Sequence, residues 1–239
     1  MTLTICIIAK DGIVLASDSR ESATLTANDT VKKIFKLDDH NAMGIAGDGR
    51  LAGHFFDVIS PQLNFRGGVS NLAEQLRKLG KATFNDFFSH LEPDKRPSLT
   101  ILLSGYTPEN TPAVYQLSSN DNFVPRKSVT GFDCIGIPII AEYIMNRVYE
   151  PEVSYIHAAE MAAFCIKETG SQDRRVGGPT QIATFSNTKA YAELTAEEVS
   201  RIEEKCEKIG LAQKGNFYPE EVESGSTTTK EAEKEEIGS

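Results

Sequence analysis

The chain has 239 residues, 40% of them hydrophobic and 25% charged, enough for one sizeable globular domain with a buried core. Its formal charge of −9, with no stretch that concentrates Lys and Arg, argues against nucleic acid as a partner. No apolar run approaches the ~20 residues needed to cross a bilayer, and the N-terminus lacks the basic-then-apolar order of a signal peptide, so a cytoplasmic protein without a membrane partner is expected.

The opening Thr2-Leu-Thr-Ile-Cys-Ile-Ile-Ala reads as a buried strand. Lys10-Asp11-Gly12 supplies turn chemistry, and residues 13–18 resume as a second apolar strand, which makes a hairpin. Residues 31–37 and 42–46 form two more β-rich runs around the polar turn Asp38-Asp39-His40-Asn41, and Gly47-Asp48-Gly49 closes that second hairpin. From Arg50 the period changes: Leu51, Phe55, Val58, Ile59 and Leu63 mark an amphipathic helix. Asn71 is placed to cap a second helix whose Leu72, Leu76, Leu79, Phe84, Phe87, Phe88 and Leu91 read as core packing.

Strands return at 99–103, 113–117 and 123–129. Two helices follow over 137–148 and 155–167, the second with Ile156, Ala159, Ala163 and Ile166 on one face. Gly177-Gly178-Pro179 leads into strands over 180–185 and 190–194, and Thr195-Ala-Glu-Glu198 is a capping-box sequence opening a last helix to about residue 209. Strands and helix pairs in blocks predict an α+β fold of two stacked antiparallel sheets covered by helices on both outer faces. Domain organisation is read as one domain over 1–218 and a disordered acidic tail over 219–239, where Glu, Ser, Thr and Lys displace apolar residues. Cys6, Cys134, Cys165 and Cys206 are scattered without CxxC or Cys/His pairing, so they suggest buried apolar residues rather than a zinc site or a disulfide framework.

Thr2 follows Met1 directly. Methionine aminopeptidase removes Met ahead of a small side chain, so the mature chain is expected to start with a free threonine amine beside its own hydroxyl. An α-amine has a reference pKa of about 7.7–8.0, close enough to neutrality that a share of it is uncharged and able to accept a proton, so one residue then carries both nucleophile and base. Thr2, Asp18, Lys33 and Gly47 all fall at ends of the first strands, where two hairpins bring them together. A lysine beside the hydroxyl lowers its pKa, an aspartate keeps that lysine charged and positioned, and the Gly47 N–H stabilises an oxyanion where a side chain would block the carbonyl.

With these residues in this order, the chain resembles a proteasome β subunit, within the N-terminal-nucleophile (Ntn) hydrolases. Thr-Leu-Thr-Ile resembles the mature β-subunit start, Gly-Ile-Val-Leu-Ala-Ser-Asp-Ser-Arg the strand bearing Asp18 and Arg20, and Val31-Lys32-Lys33-Ile34-Phe35 the segment of the catalytic lysine. Met43-Gly44-Ile45-Ala46-Gly47-Asp48 is similar to the strand ending in the oxyanion glycine, and Asp173 followed by Gly177-Gly178 to the loop whose aspartate supports the nucleophile. Two positions depart from the pattern: Ile135 and Val176 stand where supporting serines are usual. The Val-Gly-Gly-Pro stretch is closer to divergent, Anbu-type members.

The resemblance implies a four-layer αββα sandwich, threonine-type endopeptidase chemistry without metal or cofactor, and homo-oligomeric rings or ring-like assemblies acting on a peptide or protein substrate, with an ATPase or activator among the partners it allows. It also implies pocket roles for Glu21, Val31, Phe35 and Ile45, and a backbone contact from Ser22. Two other readings use the same residues: a non-catalytic ring or scaffold subunit, suggested by Ile135 and Val176, and a dedicated Ntn acylase or transamidase, because specificity lies in the pocket and not the fold.

Overall fold

A computed structural model of the chain describes residues 2–22, 27–47 and 49–217. Met1, Asp48 and the tail expected over 219–239 lie outside the described residues. Strands β1 (Leu3–Ala9) and β2 (Gly12–Ser17) pair antiparallel around Lys10-Asp11. A short ribbon, β3 (Glu21–Ser22) and β4 (Ala27–Asn28), precedes β5 (Ile34–Lys36) and β6 (Asn41–Ala46). Helices α1 (Gly49–Ile59) and α2 (Gly68–Phe87) follow, then β7 (Thr100–Tyr106), β8 (Pro112–Ser118), β9 (Arg126–Lys127) and β10 (Phe132–Gly136). The chain continues through α3 (Ile139–Val148), α4 (Tyr155–Gln172), β11 (Gln181–Phe185), β12 (Ala192–Glu193) and α5 (Ala196–Phe217).

Two five-stranded antiparallel sheets result, in the orders β10-β1-β2-β11-β12 and β5-β6-β7-β8-β9. Strand periodicity explains why both must be sandwiched. Leu3, Ile5 and Ile7 of β1 join Val14 and Ala16 of β2 under Ala158, Ala159, Ala162 and Ile166 of α4. The alternate residues Cys6, Ile13 and Leu15 point the other way, onto Ala42, Ala46 and Leu102 of the second sheet. On that sheet's outer face Met43, Ile45, Ile101 and Leu103 pack against Phe55 and Ile59 of α1 and Leu72, Leu76 and Phe84 of α2. With both faces covered, the central strands are buried almost throughout, and the order of layers is helix, sheet, sheet, helix. Among the described residues no helix is long and apolar enough to cross a membrane.

Several expected elements differ. Helix α2 starts at Gly68, so Asn71 lies inside it and bonds back to the Arg66 carbonyl instead of capping; the left-handed Gly67 forms the entry. The strand expected over 123–129 shrinks to β9, because Asn122 and Phe123 adopt positive φ and Phe123 turns inward between Phe55 and Phe84. Residues 132–136, read without a strand, form β10 on β1. Ile156 is 54% exposed, since α4 lies on the sheet through its alanines and places that isoleucine on the outer side.

Candidate active site

The register of β1 on β2, Thr4 opposite Ser17, leaves Asp18 beside Leu3 at the mouth of the hairpin. The Leu3 N–H donates to Asp18 Oδ1 at 2.9 Å, and the Asp18 N–H donates to the Leu3 carbonyl at 3.3 Å. Asp18 is wholly buried, and a buried carboxylate must be compensated by hydrogen bonds and opposite charge. Here Oδ1 also accepts from Lys33 Nζ at 2.8 Å, while Oδ2 accepts the N–H groups of Arg20 at 3.2 Å and Gly177 at 3.1 Å. Lys33 is itself buried and donates a second bond, 2.6 Å, to the Arg20 carbonyl. Burial pulls the Lys33 pKa below the ordinary lysine value, and the adjoining Asp18 charge and hydrogen bond oppose that pull, with Glu21 helping.

Thr2 stands at the head of β1, 3% exposed. Its carbonyl accepts the Ile137 N–H at 2.9 Å, which joins the head of β1 to the end of β10. Gly136, opposite Leu3, sits at φ +93°, and a Cβ there would lie 1.8 Å from the Thr2 oxygen, so only glycine lets β10 run alongside the threonine. Gly47, just past β6, has φ +150°, and a Cβ would meet the Ser98 carbonyl at 2.7 Å. Among the described residues, Thr2, Arg20, Glu21, Lys33, Ile45, Gly47 and Ala52 line one small pocket with a void of about 10 Å³, close to a single water.

Of the residues singled out from the sequence, Thr2, Lys33, Gly47, Glu21 and Ile45 thus share one pocket, with Asp18 directly behind Lys33. Ser22 pairs with Ala27 in the short ribbon next to Glu21. Phe35 stacks on Phe56 of α1, ring centres 4.6 Å apart, within the outer core of the second sheet. Val31 is held by its backbone, the N–H on the Ser19 carbonyl and the carbonyl on Gln181 Nε2. Asp173 ends α4 in a two-pronged ion pair, its Oδ1 2.9 Å from Arg175 Nε and its Oδ2 2.6 Å from Arg175 Nη2. The Arg175 hydrogen bonds hold its carboxyl down at about 2. From there the loop carries Gly177 to Asp18. Ile135, opposite Thr4 in β10, is buried between the sheets, and Val176 is buried on the helix side of the first sheet.

Gly136, the Gly177 N–H and the Arg20 carbonyl are site groups that sequence reasoning did not assign. Gly136 had a signal, the Ile-Gly-Ile-Pro punctuation; the other two are backbone groups with no side-chain signature. Chemically, the arrangement sets a buried ammonium and a glycine backbone beside the threonine at the head of β1, suited to a threonine hydroxyl attacking a carbonyl.

A model of the proteasome subunit family matches residues 2–185. The proteasome subunit beta of Methanopyrus kandleri is 28% identical over 203 residues, 84% of this chain and 94% of that protein. The corresponding subunit of Methanothermobacter thermautotrophicus is 26% identical over 204 residues, covering 84% and 93%. Among solved structures, the helical assembly of the Anbu complex from Pseudomonas aeruginosa aligns with a TM-score of 0.70 at 16% identity, over 91% of this chain and 96% of that one. The architecture is therefore a four-layer αββα sandwich, the fold shared with that Anbu chain.

Proposed function

The chain belongs to the proteasome subunit family, and from that premise we propose that it is a threonine-type peptidase with Thr2 as nucleophile once Met1 has been removed. The observation that carries this reading is the buried Lys33–Asp18 pair, 2.8 Å, on the wall of the pocket that Thr2 and Gly47 also line. In the proposed reaction, Thr2 Oγ attacks the substrate carbonyl while the Thr2 α-amine takes the hydroxyl proton. Lys33 stabilises the oxygen electrostatically as it loses that proton, and Asp18 holds Lys33 in its charged form. The Gly47 N–H donates to the developing oxyanion. Collapse breaks the C–N bond, and the proton passes from the ammonium to the leaving amine. Water, deprotonated by the same α-amine, then attacks the ester, releases the acid and restores Thr2.

Pocket roles for Glu21, Ser22, Val31, Phe35 and Ile45 and a supporting role for Asp173 belong to this reading, as does a cytoplasmic location. So does self-assembly, by likeness to the helical Anbu assembly and to proteasome β subunits. The test pairs the N-terminal mass of the mature protein with peptide hydrolysis by wild type and Thr2→Ala. Loss of hydrolysis in Thr2→Ala is expected; equal activity in the two proteins rejects Thr2 as nucleophile.

Ile135 and Val176 favour a second reading, a subunit that keeps the fold without efficient chemistry, because neither side chain can move a proton and both are buried in core. Failure of a threonine-directed covalent inhibitor to label correctly processed protein would select it. If chemistry is present, product analysis separates a peptidase, which yields many fragments, from a dedicated acylase or transamidase, which yields one product.

A further inference from the structure

Lys33 reaches Asp18 from a stretch of chain that belongs to no strand. Strand β5 begins only at Ile34, so residues 31–33 cross the end of the sandwich without a β-ladder of their own. Backbone groups in such a stretch need partners, and the ammonium is only as well placed as the backbone that carries it. Two partners come from backbone: the Val31 N–H donates to the Ser19 carbonyl at 3.1 Å, and the Lys33 carbonyl accepts the Ile45 N–H at 3.0 Å. The other two come from one side chain. Gln181 Nε2 donates to the Val31 carbonyl at 2.6 Å, and Gln181 Oε1 accepts the Lys33 N–H at 3.1 Å.

This is the bonding of a parallel β-bridge, in which one residue's N–H and C=O reach the carbonyl of residue i−1 and the N–H of residue i+1 on its neighbour. A side-chain amide has the same donor and acceptor as a peptide group, so Gln181 serves as a one-residue strand between the sheets. Gln181 itself is fixed: it opens β11 and pairs with Ser17, the residue before Asp18. The backbone of Lys33 and the carboxylate that receives its ammonium are thereby referred to the same two strands, β2 and β11.

We propose that Gln181 is a positioning residue for Lys33, its amide standing in for a peptide unit and setting where the Lys33 ammonium meets Asp18 and the nucleophile. The proposal rests on the threonine-nucleophile reading for its catalytic consequence, though not for its geometry. Other residue types fail on chemical grounds. Glutamate keeps an acceptor for the Lys33 N–H but turns an acceptor toward the Val31 carbonyl, and methionine matches the length while supplying neither bond. Gln181 is half-buried and borders a cavity of about 280 Å³ beside Ile34 and Val199, so a methionine there has room and needs no repacking of the core.

The experiment compares wild type with Gln181→Met and Gln181→Glu in two measurements. The first is peptide hydrolysis against pH. Gln181→Met is expected to lower kcat by on the order of 10- to 100-fold with KM little changed, and to move the alkaline limb upward as Lys33 gains water. Gln181→Glu, which retains one of the two bonds, is expected to fall between. The second is backbone hydrogen exchange of the 28–37 peptide, where the Lys33 N–H is expected to lose protection in Gln181→Met. A methionine variant with wild-type kcat and alkaline limb overturns the proposal. So does one that merely melts lower while both are retained. If wild type hydrolyses nothing, the threonine-peptidase reading fails, and hydrogen exchange alone decides: unchanged Lys33 protection refutes the clamp, and lost protection upholds it. If Gln181→Met does not fold, the same limits apply to Gln181→Glu.

Discussion

The arrangement at the residue scale is dominated by one buried charge pair. Lys33 and Asp18 are both removed from water, and Asp18 is made tolerable there by four donors: two backbone amides and the ammonium close in the fold, and Gly177 from a loop 159 residues away. Removing one partner of such a pair costs about 3–5 kcal/mol, because the other charge stays buried. Lys33→Met is therefore expected to lose hydrolysis and to lower the unfolding free energy extrapolated from urea melts by that amount. The proposed mechanism needs a neutral Thr2 amine and a charged Lys33, so rate against pH is expected to form a bell. Its acid limb reports the amine, about 7.7–8.0 by reference. Its alkaline limb is expected below the ordinary lysine value of 10.5, since burial outweighs the help from Asp18. The same depression has a stability consequence: this group's contribution is fully present above 10.5 and is lost as pH falls through its folded value. A rate that is flat across the alkaline range would remove Lys33 from the mechanism. Thr2, Asp18, Lys33 and Gly47 were legible in the sequence because each is a side chain, or a glycine, at the end of a readable strand. Gln181 was not, because its role is to imitate backbone, and nothing in a lone glutamine at the start of a strand announces that.

At the scale of elements, local chemistry read well where it was self-contained. Helix α5 carries the capping box expected from Thr195 and Glu198: the Glu198 N–H donates to Thr195 Oγ1 at 3.3 Å, and Glu198 Oε2 accepts the Thr195 N–H at 2.7 Å. Thr195→Ala should lower stability by about 1 kcal/mol, read from thermal melting, while leaving peptide hydrolysis unchanged. A loss above about 2 kcal/mol would mean that the threonine holds more than its helix end. The first hairpin was equally plain, since a polar turn separates two largely apolar runs, but of the strand expected over 31–37 only Ile34–Lys36 pairs with β6, because Val31, Lys32 and Lys33 lie outside the ladder. Strand β10 was hidden for the opposite reason. Phe132–Gly136 is short, carries the polar Asp133 as its second residue and has no hairpin partner next to it in sequence; its partner is β1, more than a hundred residues earlier. Asn71 carried a correct local signal that the backbone overruled, because the left-handed Gly67 and Gly68 had already turned the chain into the helix.

For the whole molecule, the decisive distance is the one between the two sheets. They approach closely where small residues face each other, and a Cβ on Gly44 would lie 2.4 Å from Thr4 Cγ2. Gly44→Ala is therefore expected to destabilise by about 1–3 kcal/mol and, by pushing on β1 two residues from Thr2, to slow hydrolysis. Thr4→Ser, which deletes the offending methyl, should restore part of both in the double variant; additive losses would show that the two positions do not touch. By itself the sequence determined the alternation of strands and helix pairs, the two-faced burial of the central strands, and the order of the threonine, aspartate, lysine and glycine, because these follow from hydrophobic period, turn chemistry and position along the chain. The tertiary structure alone decided that β10 lies beside the threonine, that Gly177 completes the shell around Asp18, and that Gln181 clamps the lysine segment. Those contacts join parts of the chain more than a hundred residues apart, and pairing at that range is set by how whole sheets stack, which no local pattern encodes.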